Sequence, residues 1–211
     1  MKRDSISPNV IRRMPRYLRA LEDLLDGGVE RVSSAELGRQ LDLTPSQIRQ
    51  DFSHFGEFGQ QGYGYNVAML RDEVASILGV GRGFSIVLFG VGNLGHALLK
   101  NFGFNRYGYR VLAAFDVDPA LIGTTLSGVP VYDVSEFADF ADENRVDIAV
   151  LAVPGNFAIS TARSISAAGV KAIWNFTNVE LGRPGENVLV EDIHFSDSLL
   201  ALSYYLAESD R

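Results

Sequence analysis

Three glycines, Gly90, Gly92 and Gly95, stand in the spacing G-x-G-x-x-G within the stretch VLFGVGNLGHALL, which begins at Val87. An apolar run precedes them and a helix-like stretch follows. Gly90, Val91, Gly92, Asn93, Leu94 and Gly95 therefore read as a strand-to-helix turn. Such a turn can cradle a pyrophosphate. Gly90 permits the tight turn, Gly92 lets backbone approach the phosphates, and Gly95 lets helix and strand pack closely. The helix start beyond it supplies free amides and the positive end of a dipole. Asp116, in AAFDVD, closes the next apolar run, with Val117 beside it. Its carboxylate can accept a ribose hydroxyl and would repel a 2′-phosphate. No arginine follows immediately, so the pattern favours NAD(H) over NADP(H).

Chemistry beyond binding is missing from the pattern. The only lysines are Lys2, Lys100 and Lys171, and none forms a Tyr-x-x-x-Lys pair. His54, His96 and His194 fall in separate segments without metal-ligand spacing, and there is no cysteine to bridge or to bind zinc. No catalytic residue and no metal site are expected, and the remaining length leaves no room for a substrate domain. The dinucleotide is expected to be held and not consumed. With 46% hydrophobic and 21% charged residues the chain is not of disordered composition. Its longest apolar run, Ile148 to Pro154, is too short to span a bilayer, and MKRDSISPNV lacks the apolar core of a secretory signal. The expectation is a cytoplasmic protein with no membrane partner.

Different elements fill residues 1–80. In MPRYLRALEDLLDGG, Tyr17, Leu18, Leu21, Leu24 and Leu25 share one helical face, with Pro15 suited to the first turn and Gly27-Gly28 to the stop. Ser33 with Glu36, and Thr44 with Gln47, have capping-box spacing at the starts of two further helices. So short a gap between those helices, about Asp42 to Thr44, implies a steep helix-turn-helix crossing. The third helix is expected to expose Ser46, Gln47, Arg49, Gln50 and Ser53 for major-groove reading, while Ile48 and Phe52 face inward. Four glycines in FGEFGQQGYGYNV then suit a tight hairpin, a wing carrying Phe58, Gln60, Gln61 and Tyr63 towards a sugar-phosphate backbone. The net charge of −7 conceals a basic arm in which Lys2, Arg3, Arg12, Arg13, Arg16 and Arg19 face only Asp4. Arg12, Arg13 and Arg16 are its expected DNA contacts. A further amphipathic helix closes on Gly79, Gly81 and Gly83.

From Phe84 buried strands and helices alternate: FSIVLF, YRVLAAFDVD, VDIAVLAVP and VKAIWNF are strands with helical sequence between them. Continuous apolar strands of this kind imply a parallel sheet covered on both faces. The fold class is α/β, an N-terminal winged helix followed by a Rossmann-like doubly wound parallel sheet.

This combination resembles one family, the redox-sensing transcriptional repressors called Rex. The resemblance runs over nearly the whole chain through YLRALEDLLDGGVERVSSAELG, TPSQIRQDFSHFGEFGQQGYGYNV, GVGNLGHALL, FDVDP, AVP, NFTNVEL and LSYYL. It implies a homodimer that binds palindromic operator DNA when NAD+ is high and is released by NADH. It also implies that the C-terminal helix, about Phe195 to Leu206, is exchanged between subunits. The nicotinamide would lie near Val153, Pro154, Asn175, Phe176 and Thr177, close to the dimer axis. Domains are then expected at 1–80 for DNA, 81–193 for NAD(H) and 194–211 for the swapped helix. Against the family pattern, Gln50, Gln60 and Gln61 replace basic residues, and Asn101 and His194 replace a tyrosine and an aspartate. Two other readings stay open: an NAD-dependent oxidoreductase with a fused module, and a DNA-binding regulator whose nucleotide fold takes coenzyme A.

Overall fold

A computed structural model describes residues 6–56, 58–60 and 63–209, with only the backbone of residues 59–60. The chain divides into two compact units, 1–81 and 82–211.

The first unit is built on α1 (Pro8–Asp26), which buries Val10, Met14, Tyr17, Leu18 and Leu21 on one stripe. The helix begins seven residues before Pro15, at a proline that fits a first turn, and Pro15 lies inside it. The apolar stripe continues N-terminally through Val10 and Met14, and burying it outweighs the one bond that Pro15 removes. Pro15 is exposed, so water can take the released carbonyl of Ile11. After β1 (Arg31–Val32), α2 (Ser34–Leu41) starts with a complete capping box between Ser33 and Glu36. In α3 (Pro45–Ser53) the box is half formed. Thr44 Oγ1 accepts from the Gln47 amide N–H, but the Gln47 side chain turns away to Asp51. Then β2 (Gly59–Gln60) and β3 (Gly64–Asn66) form the wing, and β1 completes an antiparallel sheet in the order β1-β3-β2. Helix α4 (Val67–Leu78), capped by the Asn66 side chain, closes the unit's core.

At the centre of this unit lies a buried carboxylate. Asp51 accepts from Arg13 Nε at 2.6 Å and Nη2 at 2.7 Å, from Tyr17 Oη at 2.7 Å and from Gln47 Nε2 at 2.8 Å. Burial drives the Asp51 carboxyl towards neutrality. The hydrogen bonds from Arg13, Tyr17 and Gln47, with the charge of Arg13, outweigh it and hold the group below the usual carboxylate range. The Tyr17 hydroxyl is pushed upward, first by burial and then by its bond to Asp51.

The second unit is a doubly wound sheet. Its strands are β4 (Ser85–Phe89), β5 (Arg110–Asp116), β6 (Thr125–Leu126), β7 (Val129–Asp133), β8 (Ile148–Leu151), β9 (Ala172–Asn175) and β10 (Leu189–Asp192), in the order β10-β9-β8-β4-β5-β7-β6. All neighbours pair in parallel except the hairpin β6-β7. Counting the parallel strands alone, the order is 3-2-1-4-5-6, which is that of the dinucleotide-binding sheet. Helix α5 (Asn93–Asn101) lies on one face, and α6 (Phe137–Glu143) and α7 (Gly155–Ala167) on the other. Every residue of β4 is buried, as a strand covered on both faces requires. The chain ends in α8 (Phe195–Ser209), which has no buried residue.

Arg13→Ala would leave the buried Asp51 charge without its cation. It should destabilise the N-terminal unit by on the order of 3–5 kcal/mol, measured by thermal unfolding of the full chain. A loss within that of an exposed pair, about 1 kcal/mol or less, would contradict the burial argument. The acid dependence has a defined sign. Asp51 has a lower pKa folded than unfolded, so its stabilisation is fully present above the unfolded value of about 3.9. That stabilisation is lost as pH falls through the folded value. Acid unfolding of the wild-type unit should therefore be steeper than that of Asp51→Asn.

Candidate functional site

The reversal of strand order between β4 and β8 opens a crevice beyond their C-terminal ends. Gly90 turns the chain out of β4 with φ +87°, and a Cβ there would lie 2.6 Å from the Ala152 carbonyl oxygen. A Cβ on Gly95 would collide with the Gly90 carbonyl oxygen, so helix α5 rests directly on the turn. At Gly92 nothing lies within 4 Å, which is the open approach that a phosphate needs. No side chain caps α5, whose N-cap is Gly92, and its first amides remain for an anion. Asn93 is exposed there, while the Leu94 side chain packs into the core beneath and leaves only backbone towards the crevice.

Asp116 ends β5 beside this turn. Its carboxylate accepts the Val91 N–H at 2.5 Å, the Val117 N–H at 2.7 Å and the Asp118 N–H at 3.0 Å. It thus fixes the glycine turn against the second strand. A carboxylate offers about four lone-pair sites, so it still has capacity for a ribose hydroxyl. Val117, 71% exposed, offers an apolar surface beside it. Val153 and Pro154 stand at the C-terminal end of β8, half-buried and exposed respectively.

The segment after β9 is held by its own hydrogen bonds. Asn175 is buried, its Nδ2 donates to the Val179 carbonyl at 2.7 Å and to Asp192 Oδ1 at 2.6 Å, and its Oδ1 accepts from Thr177 N–H and Oγ1. Its amide hydrogens are both used. Phe176 is buried against Trp174 and lies 6.1 Å from Phe195. Asn175 and Thr177 thus shape the loop through their hydrogen bonds, and Phe176 through its packing.

On the first unit, Ser46, Arg49, Gln50 and Ser53 are all exposed on α3, as is Thr44 at its cap. Arg49 Nη1 donates to Ser34 Oγ at 3.0 Å, so the α2 start steadies it, and Ser53 Oγ donates to the Gln50 carbonyl. Of the other expected DNA contacts, Arg13 and Gln47 hydrogen-bond Asp51, and half-buried Phe58 packs edge-on against Phe52, 5.9 Å between ring centres, beside the unit's core. Arg12 and Arg16 remain on the exposed face of α1, although Arg16 Nη2 also donates to the Leu41 carbonyl at 2.6 Å. Tyr63 is 70% exposed, and its carbonyl accepts from Arg31 Nη1, which braces the wing. The side chain of Gln60, and Gln61 with Lys2 and Arg3, lie outside the described residues.

Sequence reasoning missed Asp51 and Arg31. Asp51 carried a signal: an acidic residue at i+4 from Gln47 and adjacent to inward-facing Phe52. Among the described residues no group of three or more His, Cys, Asp or Glu side chains could hold a metal ion, and no helix is long and apolar enough to cross a membrane.

Residues 83–179 match a family described as a CoA binding domain, and residues 5–53 match a DNA-binding protein N-terminus. A redox-sensing transcriptional repressor Rex from Caldicellulosiruptor bescii is 46% identical over 207 residues, which covers 98% of this chain and 95% of that one. A crystal structure of RSP in complex with β-NAD+ and operator DNA superposes with a TM-score of 0.91 at 43% identity, covering 98% of this chain and 94% of that one. A structure of RSP in complex with β-NADH does so with a TM-score of 0.89 at 40% identity, covering 97% and 96%. Both units, in one order and with little left over at either end, are shared with these proteins, and the chain belongs to the Rex family of redox-sensing transcriptional repressors.

Proposed function

We propose that this chain is a DNA-binding repressor that senses the NADH/NAD+ ratio in the cytoplasm, occupying palindromic operators when NAD+ is high and leaving them when NADH binds. The carrying observation is that one chain joins an exposed polar row on a helix-turn-helix to a glycine turn with an acidic partner. RSP, similar over nearly the whole chain, has been crystallised with NAD+ and operator DNA and with NADH. In this reading Ser46, Arg49, Gln50 and Ser53 read base edges, while Arg12, Arg16, Thr44, Gln60, Gln61 and Tyr63 meet the backbone. The turn Gly90 to Gly95 holds the pyrophosphate, Asp116 and Val117 the adenosine half, and Val153 and Pro154 face the nicotinamide. The loop 175–177 shapes that end. Bound nicotinamide supplies a ring whose charge and pucker change on reduction, and the chain acts as its receptor, not as an enzyme.

The exposed apolar side chains of α8 support a homodimer. Leu199, Leu200, Leu202, Tyr204, Tyr205 and Leu206 are each more than half exposed. Large apolar side chains left exposed together on one helix are the mark of an interaction site, and we assign α8 to exchange with a second copy. Reduced and oxidised dinucleotide then shift the dimer between two states only by the difference in their affinity for each. The state that NADH prefers holds the two reading helices out of step with half-sites one helical turn or a multiple apart.

The CoA binding description raises a second reading, in which the crevice takes coenzyme A. Asp116 argues against it, because coenzyme A carries a phosphate on its ribose that a carboxylate repels.

Gel-shift titration on a palindromic operator should show tight binding with NAD+ and release by NADH, and equal binding with both would end the proposal. Displacement of NADH by coenzyme A at comparable concentration would favour the second reading. Asp116→Ala should weaken NADH by about tenfold or more, the loss of one to two charge-assisted hydrogen bonds, and leave DNA affinity unchanged. Arg49→Ala should do the reverse. Leu202→Glu with Leu206→Glu should convert the dimer to monomer in sedimentation velocity, and a persisting dimer would remove α8 from the interface.

A further inference from the structure

Asp51 is the one fully buried charged side chain among the described residues, and no contact with ligand or DNA has been assigned to it. It sits on α3 itself, one turn after Gln47, and its other partners both come from α1. The packing of α3 through Ile48 and Phe52 is apolar and non-directional, so it resists separation far more than it resists rolling of the helix about its axis. The Arg13 fork differs, because two parallel N–H···O bonds fix orientation as well as distance. Tyr17 Oη fixes the same carboxylate from a third direction, and Gln47 ties the first turn of α3 to it. Ser46, Arg49, Gln50 and Ser53 face away from this point on the same short helix, so any roll of α3 displaces all four together.

We propose that Asp51 is a positioning residue for DNA reading: held by Arg13, Tyr17 and Gln47, it sets the roll of α3 and so the register of its reading row against the base edges. This rests on α3 being the reading helix. A buried ion pair is weak evidence for stability, and its best-attested use is to select one register among near-equal packings. The Rossmann unit has no part in it, and phosphate contacts, which tolerate small displacements, are affected less than base contacts.

The test separates positioning from folding. In the full-length protein, Arg13→Met combined with Asp51→Leu replaces both charges by apolar groups of similar volume, which commonly preserves stability or raises it. Affinity is measured for a palindromic duplex selected by the wild-type protein from a random library, and for a scrambled duplex of the same composition. The double variant leaves the buried Tyr17 hydroxyl without its acceptor, so it should stay folded with a modestly lowered melting temperature and keep its NADH affinity and its scrambled-duplex affinity. Its preference for the selected duplex should fall by about tenfold or more, as for one or two misread base pairs. Tyr17→Phe, which keeps the ring and removes one bond, should fall part of the way. A folded double variant with undiminished preference overturns the proposal. Should the double variant not fold, Tyr17→Phe and Gln47→Met decide alone, and full preference in both overturns it. Failure of the wild-type protein to prefer any duplex would instead sink the reading of α3.

Discussion

At Gly90 the chain leaves β4 so close to the Ala152 carbonyl that no side-chain atom fits between them. The nucleotide-facing half of the second unit depends on that contact. It lets the turn out of β4 pack directly on the chain leaving β8, at the point where the strand order reverses and the crevice lies. Gly95 then seats α5 on the same turn, so the helix aims its uncapped amides into the space just opened. Asp116 ties the turn to β5 through the Val91 N–H, which places a carboxylate at the edge of the cradle, where the proposed function puts the sugar. Strand order, turn and acidic partner are therefore one construction. Each is of little use to a dinucleotide without the other two.

The first unit answers a different demand. In the proposed function α3 must be presented in one orientation, yet it has only nine residues and three of them, Ile48, Asp51 and Phe52, are buried. Apolar burial holds it to the core and says little about its direction. Polar bonds supply direction: Asp51 to α1, Thr44 at the cap, and Arg49 to the start of α2. The wing is braced in the same manner, β3 pairing with β1 and Arg31 reaching the Tyr63 carbonyl. Helix, turn and wing are thus joined by hydrogen bonds with geometry, over a core that is tolerant of geometry.

Apolar periodicity and glycine spacing made most of this legible before any coordinates. The Leu and Tyr stripe of α1, the turn at Asp42 to Thr44, and the Gly90 to Gly95 cradle with Asp116 all follow from local rules that tertiary context does not reverse. What escaped depended on long-range partners. Arg13 reads as one more basic residue of an arm until Asp51, 38 positions away, is seen beneath it. Gln47 completes a capping box by spacing, but a buried carboxylate competes for its amide and wins. Phe58 looks like a wing residue until the Phe52 ring gives it a place in the core. Likewise β6, β7 and β10 lie at or beside the sheet edges and lack the continuous apolar run of the inner strands, with Pro130 inside β7 and Glu191-Asp192 ending β10. Asn175 shows the same limit at the site: its residue type suits a ligand contact, while its neighbours use all its hydrogens.

The C-terminal helix links the two halves of the problem through thermodynamics. Six large apolar side chains of α8 lie mostly in solvent, and covering them is worth on the order of 10 kcal/mol at about 1.5–3 kcal/mol for each fully buried side chain. In the proposed dimer, a stabilisation of that size placed in the interface makes the pair of subunits the unit whose equilibrium a ligand must shift. The dinucleotide does not need comparable energy. Moving a two-state dimer from one extreme to the other takes about 5.5 kcal/mol of differential affinity, divided between two sites. A change of one ring charge and one ring shape at each site is asked to supply half of that. A large, constant interface energy with a small, switchable ligand term is therefore sufficient for a sensor, and requires no catalytic group anywhere in the chain.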